Sequence, residues 1–270
     1  MTDDTHDNEV TYRDRVLGMM LGGAIGDALG AAVEFSSLST IRRLYGPEGI
    51  KTYANAYGGR GRWTDDTQMT LFTAEGLLDA DTAGATTRTE VVDHIHAAYR
   101  RWYGTQTGHG PGGSGLSALA SMHHRRAPGA TCLSALAQAE PGRVDHPINA
   151  SKGCGGVMRV APLGVLDDAC AVANAAAALT HGHPSGWLAA GALATTIGRL
   201  LHGAHPEEAV HSGLESVRSE PDSDEVVKAV ETAISLTRTA PVGAETVERL
   251  GAGWVAEEAL AIAVYAFLVA

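Results

Sequence analysis

Aromatic side chains are scarce in this sequence, at 5% of 270 residues, while glycine is abundant at 33. A core with few rings and many small residues fills space by bringing elements close together, and helices do this well. Cysteine is nearly absent: Cys132, Cys154 and Cys170 form no CxxC pair and are odd in number. That pattern argues against a disulfide framework and fits a reducing cytoplasm. Long apolar runs are missing too. The longest, residues 259–270, is too short to span a bilayer, and the first 18 residues are too polar and acidic for a signal peptide. Lys and Arg number 20 against 31 acids, giving a net charge of −11. Such a chain disfavours nucleic acid and anionic membranes as partners and is compatible with divalent cations. With 44% hydrophobic and 19% charged residues it is neither disordered nor fibrous.

What is present reads as helix. Residues 1–12 are a polar tail, and 13–270 form one all-α domain, a compact single-domain helical bundle with no long linker and no convincing period-2 strand. From 13 to 31 an apolar stretch places Gly18, Gly22, Gly26 and Gly30 on every fourth residue. Each glycine costs roughly 1 kcal/mol in a helix relative to alanine, so the stripe predicts a face that another backbone approaches closely. Residues 33–62 read as a long loop with short helical pieces. Helices are expected from 64 onward, over 89–102, in LSALASM after the Gly-rich 104–115 loop, and over 131–139, 157–166, 168–179, 185–202, 206–218, 223–238 and 254–270. Pro184, Pro206 and Pro221 mark boundaries. The last helix ends in apolar residues with no stop signal, which predicts a core position and a chain that continues.

Thr64-Asp65-Asp66-Thr67 is the sharpest local feature. Two adjacent carboxylates where a loop enters a helix repel unless solvated or neutralised by a hard cation, although an acidic N-cap is the blander reading. Glycines around Cys154, opening a helix at Val157, suit an anion at backbone N–H groups or simply a tight turn. The 104–115 loop, with Ser114, has the same ambiguity. His181 and His183 read as capping or hydrogen-bonded histidines before ligands. Arg100-Arg101 and Arg125-Arg126 read as solvated helix faces.

In order and spacing, LGGAIGDALGAAVEF, GRWTDDTQMTLFTAEGLL, SKGCGGVMRVAPLG, THGHPSGWLAAGALA and GWVAEEALAIAVYAFLVA resemble the ADP-ribosylglycohydrolase family, the group that includes dinitrogenase reductase-activating glycohydrolase, over residues 13–270. The resemblance implies a two-metal centre, usually Mg2+, in a cleft between helices. It also implies hydrolysis of the bond between ADP-ribose C1″ and a protein side chain or small molecule, so the expected partner is an ADP-ribosylated protein or an ADP-ribose-containing small molecule. By the same resemblance Thr64, Asp65 and Asp66 are metal ligands. Asp65, Asp66 and Glu34 are catalytic, with Glu34 gating or positioning substrate. Gly112, Gly113, Ser114, Gly153, Cys154, Gly155, Gly156 and His183 line the ADP-ribose groove. The family's second acidic motif, Asp-x-Asp followed by Thr or Ser-Thr-Gly, has no counterpart here, and Asp222-Ser223-Asp224 reads as a helix cap. The chain therefore reads as lacking a C-terminal metal-binding segment. The expectation is a hydrolase impaired by that loss or, alternatively, a catalytically deficient ADP-ribose-binding or regulatory protein.

Overall fold

Helix starts follow the side chains able to close them. In the computed structural model, which describes residues 10–108 and 113–270, Thr11 and Asp14 cap one another at the head of α1 (Tyr12–Gly30), and Thr87 and Glu90 do the same further along. Each such pair satisfies two N–H groups that the first turn leaves without partners. After α1 come α2 (Leu38–Tyr45), a two-residue hairpin of β1 (Asn55–Ala56) and β2 (Gly59–Arg60), α3 (Asp65–Ala83), α4 (Arg88–Gln106) and α5 (Ala130–Leu136). Then follow α6 (Ala169–Ala178), α7 (Pro184–Leu201), α8 (Pro206–Arg218), α9 (Asp224–Thr239), α10 (Ala244–Glu248) and α11 (Ala256–Val269). Pro184 and Pro206 each sit at a first helical position, where a missing N–H costs nothing. The fold is all-α, as the sequence leads one to expect.

Helix α7 runs through the middle, between α6 and α8, while α3 lies along α4 and α11 along α9. Small residues set these distances. A Cβ on Gly76 of α3 would come within 2.7 Å of Ile95 Cα in α4, and one on Gly213 of α8 within 2.5 Å of Ala192 O in α7. Met69, Phe72, Ile95, Tyr99 and Trp102 fill the space between α3 and α4. Gln68 ties them together, accepting from Trp102 Nε1 at 2.9 Å and donating to His124 O at 2.9 Å. Arg159 is fully buried, stacked 4.3 Å over the Tyr99 ring, and donates to Thr180 Oγ1 and the Ala176 carbonyl.

Several expectations need correction. The α1 glycine stripe meets no neighbour: a Cβ at Gly18, Gly22, Gly26 or Gly30 would find nothing within 4 Å. Leu17, Leu21 and Ile25 on the same helix are 55%, 53% and 54% exposed. Close approach is real in this fold, but it belongs to α3, α7 and α8. LSALASM forms two 3-10 turns rather than a helix, and 157–166 contains only the turn Ala161–Val165. The hairpin and α10 are additions. Arg126 is buried, not solvated: its guanidinium lies 4.9 Å over Trp63 and donates to Trp63 O at 2.8 Å. Among the described residues no helix is long and apolar enough to cross a membrane.

Candidate active site

The geometry begins with an acid that the sequence reading passed over. Asp27, near the end of α1, accepts four hydrogen bonds from the start of α3: Thr64 N at 2.8 Å, Thr64 Oγ1 at 2.8 Å, Thr67 N at 3.2 Å and Thr67 Oγ1 at 2.5 Å. One carboxylate thus fixes the loop-to-helix junction and complements the helix dipole. Thr64 caps α3 by accepting from Asp66 N at 3.4 Å. Asp65 is pinned from the other side, its N–H donating to Arg126 O and its Oδ2 accepting from Gly129 N at 3.1 Å. The signal for Asp27 in the sequence is an acid inside the Gly- and Ala-rich second half of α1.

Asp27, Glu34, Thr64 and Asp66 form one wall of a cleft of about 630 Å³. Cys154, Val157, Met158, Trp254 and the α11 residues Ala259, Leu260, Ile262 and Ala263 line the same cleft. At its edge Phe35 and Trp254 stack, with ring centroids 5.6 Å apart. The acids are crowded. Burial, and then Asp66, push Asp65 up to about 8; burial, and then Asp27 and Glu34, push Asp66 up to about 7. Partial desolvation and Asp27 raise Glu34 as well. Tyr57, held at φ 49° in the hairpin turn, has its hydroxyl pushed up by burial and by Glu34, Asp65 and Asp27, so the hairpin tip stands near these acids.

The remaining sequence-predicted residues separate. Cys154 lines the cleft from the short turn Cys154–Gly156. Burial, followed by the nearby Asp66, pushes its thiol up to about 11, which leaves it no nucleophile at neutral pH. Gly155 and Gly156 are packing positions: a Cβ on Gly155 would meet Cys132 Sγ at 2.9 Å, and one on Gly156 would meet Gly186 O at 2.8 Å. Gly153 bridges to Val255. His183 caps α7, its Nδ1 accepting from Ser185 N at 3.2 Å. Burial, and then Arg159, hold His181 near 3, so it is neutral, and its Nδ1 is hydrogen-bonded to Thr180 Oγ1. Gly113 and Ser114 are not among the residues lining the cleft. They lead into the turn Gly115–Ala118, which Glu75 holds through Leu116 N at 2.7 Å. Gly112 lies outside the described residues. Ser223 and Asp224 begin α9.

The donor set suits a hard cation in kind. Thr64, Asp65 and Asp66 offer only oxygen, no lysine or arginine forms an ion pair with either aspartate among the described residues, and burial, then the neighbouring acids, make both easier to protonate than ordinary carboxylates. Magnesium characteristically takes one or two carboxylates and completes its shell with water and substrate oxygens. A larger set is not there: among the described residues no three His, Cys, Asp or Glu side chains form a group able to hold a metal. Thr64 and Asp66 thus present oxygen donors to the cleft, Asp65 is not among its lining residues, and no larger set accompanies them among the described residues.

A family model described as ADP-ribosylglycohydrolase matches residues 8–270. An uncharacterized protein of Archaeoglobus fulgidus is 31% identical over 165 residues, 58% of this chain and 43% of its own. An ADP-ribosyl-[dinitrogen reductase] glycohydrolase of Rhodospirillum rubrum is 40% identical over 80 residues, 26% of either chain. The aligned stretches thus span less than half of these relatives' length. A solved structure described as an ADP-ribosylglycohydrolase-related protein complex superposes with a TM-score of 0.58 at 27% identity, covering 95% of this chain and 76% of that one.

Proposed function

Because this chain belongs to the ADP-ribosylglycohydrolase family, we propose that its cleft binds ADP-ribose joined to a protein side chain or small molecule and hydrolyses the glycosidic bond at C1″ with Mg2+. The observation that carries this reading is the group of oxygen-bearing side chains, Asp27, Glu34, Thr64 and Asp66, that shares a nucleotide-sized cleft with apolar residues of α11 and Trp254. Thr64, Asp65 and Asp66 would hold the ion. When bound, it orients the ribose hydroxyls and stabilises charge developing as the bond breaks.

The chain's own groups divide the remaining work. Asp65 is occupied by Gly129 N and Asp66 is half-buried, whereas Glu34 stands at the edge with no hydrogen-bond partner among the described residues. Glu34 takes the proton of the attacking water, and the rise in its pKa from partial burial and then Asp27 makes it a better base than an ordinary carboxylate. The oxygen of that water bonds to C1″ while the C1″–N or C1″–O bond opens, and the leaving group receives a proton from solvent or from protonated Glu34. Asp27 keeps Thr64 and the aspartates in register throughout. Trp254 and the apolar α11 face provide a dry surface for the planar part of the substrate.

The test is release of free ADP-ribose from an ADP-ribosylated protein in Mg2+ buffer, with and without chelator. Release that chelator abolishes supports the reading. Tight ADP-ribose binding in chelator with no turnover in Mg2+ would instead support the catalytically deficient binder, which the absence of a three-residue metal group among the described residues favours.

A further inference from the structure

One partly exposed ionic node stands beside the cleft. Lys152 Nζ donates to Glu257 Oε1 at 2.5 Å and to Glu225 Oε2 at 2.9 Å, and Ser185 Oγ donates to the same Glu225 oxygen at 2.5 Å. The side chains of Lys152 and Glu225 are 33% and 51% exposed, that of Glu257 only 9%. The node joins the first turns of α7, α9 and α11, none of which is adjacent in sequence to Lys152. The backbone on either side of that lysine is sewn to the cleft. Cys154 N donates to Trp254 O at 3.1 Å, Ala256 N donates to Lys152 O at 2.8 Å, and Gly153 bridges Val255. Cys154 and Trp254 both line the cavity.

We infer that Lys152 is a positioning residue: its ammonium, shared between Glu225 and Glu257, holds the 153–156 turn against Trp254 and so fixes the wall of the groove that receives ADP-ribose. Removing the charge leaves Glu257 as a buried carboxylate without its ionic partner, and such a group escapes by moving toward water or by taking a proton. Movement toward water carries the head of α11, and Trp254 with it, away from the turn. Both carboxylates bear on the lysine electrostatically: Glu257 first, then Glu225, raise its pKa, while Ser185 and then Lys152 lower that of Glu225.

The inference rests on the proposed reading for its ligand, so its test has an arm that needs none. Tryptophan emission is measured in the free protein under acrylamide quenching, with Trp254→Phe defining the share of that indole among four tryptophans. Lys152→Met loosens Trp254 from Phe35 and raises its quenching; Lys152→Arg, which keeps charge and reach, restores the parent value. Calorimetry then shows ADP-ribose binding weakened roughly tenfold in Lys152→Met, and KM raised with kcat little changed, because a displaced wall misplaces substrate without touching the acids. Should Lys152→Met not fold, Glu257→Gln, which keeps the shape and one hydrogen bond, carries the same expectations. Unaltered quenching overturns the clamp. A loosened Trp254 with unaltered ADP-ribose affinity, or a fall in kcat alone, overturns its role in the groove. A parent protein that binds no ADP-ribose overturns the functional reading, and the quenching arm still decides the clamp.

Discussion

Asp65 and Asp66 sit where the protonated form is favoured, with pKa values of about 8 and about 7 against an ordinary 3.8. The native chain without metal therefore keeps protons that the unfolded chain releases. Stability tied to these groups is complete below about pH 4 and is lost as pH rises toward 7 and then 8. In chelator, thermal melting temperature should fall across that interval, and added Mg2+ should raise it more at pH 8 than at pH 5. Asp66→Asn should flatten the fall, since the amide cannot ionise, while reducing hydrolysis by about 10²-fold or more. A variant that keeps both the pH dependence and full turnover removes Asp66 from the site. Asp27 acts through its four acceptor bonds. Asp27→Ala should destabilise by about 2–3 kcal/mol in urea titrations, leaving two threonine hydroxyls and two helix N–H groups without their acceptor.

At the scale of elements, two glycine-to-alanine changes should move in opposite directions. In α3, Gly76→Ala drives a methyl into the Ile95 backbone and should cost about 1–3 kcal/mol despite the better helix propensity. In α1, Gly18→Ala meets open space and should stabilise by about 0.5–1 kcal/mol. Denaturation midpoints compare the two directly. The pair also shows how far the sequence could be read. The helix expected over 89–102 and those that start at Pro184 and Pro206 were legible because the forces that start them are local. A glycine every fourth residue was not, because an interface and an open face produce the same spacing. The 3-10 turns in 115–123 and the two-residue strands are fixed by what packs on them, with no periodicity of their own. The site divided in the same way. Thr64, Asp65 and Asp66 are neighbours in the chain and showed themselves. Asp27, which meets them across 37 residues, and Glu257, which meets Lys152 across 105, are partnerships that only the fold creates.

For the molecule as a whole, a charge of −11 opposes a ligand carrying a diphosphate. Raising salt to physiological strength cuts the reach of that repulsion to about 8 Å. ADP-ribose should consequently bind about two- to fivefold tighter at physiological ionic strength than in dilute buffer, which isothermal titration would register; a basic phosphate-binding protein behaves the other way. The same global view shows how unevenly the cleft is built. One wall is carried by α1, in which Ala28 is the only buried residue of nineteen, whereas α7, which contributes Leu193, buries eleven of its eighteen. A helix with so little interior to lose can open without taking the body of the protein with it. Deuterium should enter the α1 amides far sooner than those of α7, and a bound ligand should slow α1 most. A pocket with one hinged side and one bolted side lets a bulky carrier enter and leave while the chemistry's far wall stays still.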